Sequence, residues 1–201
     1  MFILVNEGQM NRRKKQQVKE TLTLSLGAIA AAGLTAGLVY LYKKNTDQWP
    51  PLEVASNVDL EKYSGEWYEI ARLPNWYEKH CYASKAHYSL NEDGTIKVVN
   101  SCQTDTGGER KSKEAIAWVP DSSNNARLKV QFFWPFTGDY NIIEVAPDYQ
   151  YALVGTESRK YLWILSRKPE LDLEATKSLV EKASQQGFNT LELIFAKNTF
   201  S

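Results

Sequence analysis

The sequence predicts an all-β fold: an eight-stranded antiparallel up-and-down barrel with one C-terminal α-helix packed on its wall, preceded by one N-terminal transmembrane helix. Three observations predict it. Short β-rich segments recur at close intervals from Gly65 to Arg167, with turn clusters between them. One amphipathic pattern follows, opened by Asp172 and closed by Gly187. Ahead of both, Leu22 to Tyr42 carries no charged residue, and a stretch of that length spans a hydrocarbon core as a helix.

The chain divides accordingly into a basic N-terminus (1–21), the apolar segment (22–42), a linker (43–57) and a folded domain (58–201). Arg12, Arg13, Lys14, Lys15 and Lys19 precede the apolar segment, whereas only Lys43 and Lys44 follow it closely. That asymmetry favours a signal anchor with its N-terminus in the cytoplasm and the domain across the membrane. Cleavage after the small residues Ala30, Ala31 and Ala32 is the competing reading. Met10 is an alternative start, and Gly33 and Gly37 stand in the small-xxx-small spacing of a helix-pairing face, which would make a homodimer. Pro50 and Pro51 stiffen the linker.

Within the domain, Asp59 is placed to cap a helical turn ending at Tyr63, and Gly65 releases the chain into the first strand. There Trp67, Glu69 and Ala71 alternate with Tyr68 and Ile70, one edge inward. After a loop with Trp76 and Tyr77, strands are expected at Ala83–Leu90 and Thr95–Cys102, flanking an Asp93-Gly94 hairpin turn. Lys113–Val119, Arg127–Trp134, Tyr140–Val145, Tyr149–Gly155 and Tyr161–Arg167 follow, separated by turn clusters such as SSNN, FTGD and APD. Leu128, Val130 and Phe132 form an inward edge. Eight strands close into a barrel that holds side chains or one small ligand. Leu173, Thr176, Val180 and Ala183 share the face by which the helix would lie on the wall, and Thr190–Phe195 alternates as a last strand.

Balanced charge, with Lys+Arg 24 against Asp+Glu 24, and a pI near 6.7 leave no basic stripe for nucleic acid. No carboxylate pair, nucleophile elbow or phosphate loop stands out, so no catalytic residue is assigned and the protein is read as a non-enzyme without cofactor. His80 and His87 lack paired metal-ligand spacing with the cysteines, so no metal site is assigned. Cys81 and Cys102 fall nearly opposite each other, counted outward from the hairpin turn, and are expected to form a disulfide. A bridge requires an oxidising compartment, which is where the anchor would deliver the domain. Tyr88, Phe132, Tyr140, Tyr151 and Trp163 lie on strands and are candidates to line an apolar cavity, against the alternative of a barrel filled by its own aromatics.

Gly65-Glu66-Trp67-Tyr68 with its continuation EIARLP, Pro147-Asp148-Tyr149 between two strands, and Arg167 closing YLWILSR together resemble the three signatures of the lipocalins. The likeness is nearest to the bacterial branch of outer-membrane lipoproteins related to apolipoprotein D, which Tyr88-Ser89-Leu90 and FFWPFTGDY also resemble. It implies that Trp67 closes the narrow end of the barrel with Arg167 packed across it, as structure and not as ligand contact. It also implies a fatty acid or lysophospholipid as ligand, and a role in membrane lipid storage, transport or maintenance. Some lipocalins are enzymes, so chemistry on a bound lipid or isoprenoid is one alternative, and an interaction domain with a filled barrel is another. Many bacterial members are anchored through a lipidated cysteine. No cysteine precedes Cys81, so the expectation here is a transmembrane anchor in the inner membrane with the domain in the periplasm.

Overall fold

The computed structural model describes residues 49–104 and 110–196. The apolar segment 22–42, Met10, Gly33 and Gly37 lie outside the described residues, and among the described residues no helix is long and apolar enough to cross a membrane. Residues Trp49–Ser201 form one compact unit. It closes its sheet and both its apolar cores within itself, so it is sufficient to fold.

Asp59 caps a short helix, α1 (Leu60–Tyr63), by accepting from the backbone N–H groups of Glu61 and Lys62. Gly65, at φ +99°, turns the chain into β1 (Gly65–Arg72) in a region that a side chain resists. β2 (Cys81–Leu90) and β3 (Ile96–Thr104) form the expected hairpin, its turn closed by the Asn91 N–H to the Thr95 carbonyl at 2.8 Å. β4 (Lys111–Trp118), β5 (Arg127–Phe133), β6 (Phe136–Val145), β7 (Tyr151–Gly155) and β8 (Leu162–Ser166) follow. Every neighbouring pair is antiparallel, and β1 pairs with both β8 and β2, which closes the barrel. Because strands run up and down, the β1–β2, β5–β6 and β7–β8 connections share one end, the mouth, and α1 covers the other.

Two local expectations need correction. FTGD, read as a turn, begins β6: Gly138 pairs with Val130, and the reversal is made by Trp134-Pro135. A Cβ at Gly138 would meet the Val130 side chain at 3.7 Å, an ordinary van der Waals contact, so packing does not demand glycine in this strand. In β1 a register shift between Glu69 and Ala71 breaks the alternation. Trp67 faces the lumen, whereas Ile70 and Ala71 both join the cluster outside the barrel, and Arg72 turns inward opposite Trp163.

The helix α2 (Leu173–Gln185) is capped by Asp172, which accepts from Glu174 and Ala175 N–H, and the chain reverses at Gly187 (φ +88°). Its buried residues are Leu179 and Ala183, with Val180 packed beside them, while Leu173 is exposed. The burying face is therefore rotated from the expected one: Leu179 takes the buried place and Leu173 is 63% exposed. Leu52, Leu153, Leu162, Ile164, Leu179 and Phe188 form the core between α2 and the sheet. The expected last strand is reduced: Thr190–Glu192 is a 3-10 turn, and only Ile194–Phe195 (β9) pairs, on β1 at Ala71 and Arg72.

Candidate ligand-binding site

The closed end is a plug. Trp67 is fully buried, and its indole N–H donates to the Tyr63 carbonyl at 2.8 Å. The Arg167 guanidinium carbon lies 3.8 Å from the centre of the Trp67 rings. The same guanidinium donates to the carbonyls of Lys62, Tyr63, Ser64, Glu66 and Tyr149. It thereby takes up the carbonyls that end α1, which no helix bond can reach. Tyr149, at φ +58°, holds the β6–β7 turn after Asp148, whose carboxylate accepts from Gln150 N–H. The Tyr149 hydroxyl sits 2.8 Å from the Asp59 N–H, which donates to it. Gly65, Trp67, Asp148, Tyr149 and Arg167 therefore meet at the closed end, while Tyr68 stands on the outer face under the Lys85 ammonium, 4.4 Å from its ring centre.

Above the plug three tyrosine hydroxyls form a chain: Tyr63 to Tyr140 at 2.7 Å and Tyr140 to Tyr88 at 2.8 Å. Burial raises all three phenols, Tyr88 to about 12, so each stays a neutral donor. Tyr88 and Tyr140 are thus brought together as the floor. Tyr63 was not singled out in the sequence because it lies in α1, outside any strand pattern.

Directly paired residues of neighbouring strands share a face, which fixes the lumen. Trp67 pairs with Ala86 and Ala86 with Asn100; Val98 pairs with Ala115; Ala117 pairs with Ile96 and Val130; Arg72 pairs with Trp163 and Trp163 with Val154. Ala86, Ala115, Ala117, Ala126 and Ala152 are all buried in this interior. Small residues at these inward positions lower the side-chain volume that the barrel interior must hold. Phe132 and Trp163 pack on the same interior. Tyr151, expected there, packs against the outer cluster instead, because Ala152 and Val154 take the inward parity of β7.

One charged cluster stands in this apolar lumen. Glu69, paired with the inward Leu165, and Arg72 are each only 5% exposed and lie 3.6 Å apart. Arg72 Nη2 donates to the Glu78 carbonyl at 2.8 Å, and Nε stands 3.4 Å from the Glu78 carboxylate. That carboxylate also accepts from the Trp163 indole N–H at 3.3 Å and from the Asn75 amide. Burial above all, and then Glu78, push the Glu69 carboxyl up to about 8 against the opposing pull of Arg72. The signal was in the sequence, since Glu69 shares the inward edge of Trp67; Arg72 was hidden by the shift in register.

At the mouth, Trp76 and Tyr77 meet edge to face at 5.7 Å, and Tyr77 continues through Tyr161 to Trp163. Phe133, Trp134 and Phe136 at the β5–β6 tip are 55%, 84% and 67% exposed, and Trp76 is 79% exposed. Cys81 and Cys102 are bridged, with Cα atoms 5.4 Å apart, and pin the β2–β3 hairpin near the same rim. No metal-binding group of His, Cys, Asp and Glu occurs among the described residues.

Comparison with known proteins places this geometry. The family model described as a lipocalin-like domain matches residues 58–198. Temperature-induced lipocalin-1 of Arabidopsis thaliana is 42% identical over 151 residues, covering 71% of this chain and 80% of that protein. Outer membrane lipoprotein Blc of Escherichia coli (strain K12) is 36% identical over 171 residues, covering 84% and 95%. Apolipoprotein D of Rattus norvegicus is 38% identical over 135 residues, covering 62% and 69%. Among solved structures, insecticyanin from the tobacco hornworm Manduca sexta superposes with a TM-score of 0.60 at 21% identity, covering 74% of this chain and 85% of that one, a likeness of fold. A closed eight-stranded barrel plugged by Trp67 and Arg167, and a family match across the whole domain, show that the chain belongs to the lipocalin family.

Proposed function

We propose that the domain holds a single-chain lipid, a fatty acid or lysophospholipid, in its barrel without chemical change, for storage, transport or maintenance of membrane lipid. The observation that carries this reading is the barrel interior itself: Ala86, Ala115, Ala117, Ala126 and Ala152 belong to the apolar cluster that also holds the Tyr63–Tyr140–Tyr88 hydroxyl chain. An acyl chain entering it loses water at about 0.8 kcal/mol per methylene. Tyr88, Tyr140, Phe132 and Trp163 are its proposed aromatic walls. The same small residues weigh against a filled barrel.

Membrane association accompanies this reading. The charge-free segment 22–42 would anchor the chain, with the domain on the periplasmic side of an inner membrane. The exposed Trp76, Phe133, Trp134 and Phe136 at the mouth suit a bilayer interface, where aromatic rings are enriched. Mass spectrometry of lipid co-purifying with the Trp49–Ser201 domain tests the proposal. Stoichiometric single-chain lipid is expected. A folded domain that stays empty and takes up no acyl ligand after delipidation would overturn it.

A further inference from the structure

Two lysines stand where the inward face of β4 reaches the mouth. β3 and β4 pair without a register shift from Ile96 opposite Ala117 to Cys102 opposite Lys111, so the alternation of β4 is unbroken. Ala115 and Ala117 hold the buried part of its inward face, and Lys113 and Lys111 continue that face toward the mouth, where both are exposed. The Lys113 ammonium lies 5.6 Å from the centre of the Phe132 ring and 4.8 Å from that of Phe133. Phe132 packs on the interior cluster, so the rings hold the ammonium beside the lumen.

No carboxylate among the described residues pairs with either lysine. Glu114, between them and Ala115 in sequence, points to the outer face and holds Lys97 at 2.8 Å, and Asp139 holds Lys129. The cluster of Glu69, Arg72 and Glu78 belongs to β1 and the loop after it, three strands away. The β4 rim is therefore positive and has no partner for its charge. Beside it stands Asn100, which pairs with Lys113 on one side and Ala86 on the other and so shares their face. Its amide oxygen is buried with no hydrogen-bond partner in the protein. Buried polar atoms are normally satisfied, and an amide oxygen is satisfied by a donor.

Resting on the lipid-holding reading above, we propose that Lys113, with Lys111 beside it, receives the anionic headgroup of the bound lipid at the mouth, and that Asn100 accepts from a hydroxyl of the same headgroup. The acyl chain then runs past Ala115 toward Ala117, about 13 Å deeper along the strand at about 3.3 Å per residue. A fatty acid supplies the anion alone. A lysophospholipid supplies both groups, its phosphate to the lysines and its free glycerol hydroxyl to Asn100, so this wall favours the lysophospholipid.

Titration of the delipidated Trp49–Ser201 domain with dodecanol, laurate and lauroyl-lysophosphatidate at neutral pH separates these contacts. Lys113→Met should weaken laurate and lauroyl-lysophosphatidate by about fivefold, the order of one exposed ion pair, and leave dodecanol unchanged. Added salt should weaken the same two ligands in the wild-type domain and not dodecanol. Asn100→Leu should weaken lauroyl-lysophosphatidate alone. Anion affinities that survive both Lys113→Met and salt, or that fall together with dodecanol, overturn the lysine site. A loss in Asn100→Leu that laurate shares, or no loss at all, overturns the hydroxyl contact. Each of these outcomes leaves the lipid-holding reading intact. If none of the three probes binds to a domain whose fold is confirmed by circular dichroism, the lipid-holding reading itself fails, and this inference with it.

Discussion

Arg167 stacks at 3.8 Å on Trp67 while donating to the carbonyls of Lys62, Tyr63, Ser64, Glu66 and Tyr149. One side chain thus ties the end of α1, the start of β1 and the β6–β7 turn to the plug. Arg167→Ala leaves those carbonyls facing a void and removes the cation–π contact. The expected loss is about 3 kcal/mol, since single charged hydrogen bonds contribute roughly 1.5–3 kcal/mol and the ring contact about 1. Arg167→Lys recovers little, because an ammonium lacks the planar fork. Urea denaturation of the two variants measures both, and an unchanged midpoint for Arg167→Ala would show the plug to be dispensable.

The Cys81–Cys102 bridge closes a loop at sequence separation 21 across the mouth end of the β2–β3 hairpin. In the chain-entropy model such a loop is worth about 3 kcal/mol. Replacing both cysteines by serine should lower stability by that order and should match the wild type measured under reducing conditions. Equal unfolding midpoints with and without reductant would refute the contribution.

Much of this architecture was written in local chemistry. Asp59, Asp93-Gly94, Asp172 and Gly187 each specify a cap or turn through their own backbone, so their elements emerged at or within a few residues of where pattern placed them. What pattern could not carry was parity across an irregularity. The register shift in β1 sends Ala71 out and Arg72 in, and the inward parity of β7 puts Tyr151 under α2. Gly138 and Asp139 look like turn residues, yet the chain reverses before them at Trp134-Pro135. The candidate site was therefore half legible. Tyr88, Tyr140, Phe132 and Trp163 were visible as strand aromatics, but the cluster of Glu69, Arg72 and Glu78 exists only once the barrel closes.

Glu69 also makes folding stability depend on pH. Its carboxyl is raised from an ordinary value of 4.5 to about 8, chiefly by burial. Between those values the folded state binds a proton that the unfolded state has released, so stability falls as pH rises through that window and levels off above it. The slope from this group is at most about 1.4 kcal/mol per pH unit. Urea midpoints from pH 5 to pH 9 should show a decline that Glu69→Gln flattens. A Glu69→Gln profile parallel to wild type would mean that the carboxyl titrates normally.

The exposed rings at the β5–β6 tip should govern attachment to lipid surfaces without supporting the fold. Trp134 and Phe136 are 84% and 67% exposed, so Trp134→Ser with Phe136→Ser removes little native packing. Transferring their rings into a bilayer interface is worth more than 1.4 kcal/mol in area terms, and the double variant should therefore bind vesicles at least about tenfold more weakly. Sedimentation of the Trp49–Ser201 domain with phosphatidylethanolamine–phosphatidylglycerol vesicles checks this, alongside a thermal melt that should not move. Undiminished sedimentation would assign the rings another purpose.

Ala115 offers a direct way to tell a vacant lumen from a packed one. It is buried on β4, pairs with Val98, which in turn pairs with Tyr88, and belongs to the interior cluster. In a lumen built to admit an acyl chain, Ala115→Phe has space for its ring: the melt stays within a degree or two and laurate uptake falls by more than tenfold. In a barrel filled by its own side chains, the added ring forces its neighbours off their rotamers and costs about 1–3 kcal/mol. A vacant lumen therefore keeps its stability and loses uptake, whereas a filled barrel loses stability. A destabilised Ala115→Phe domain with unchanged ligand binding would remove the lumen as the binding site and send the search to the aromatic rim.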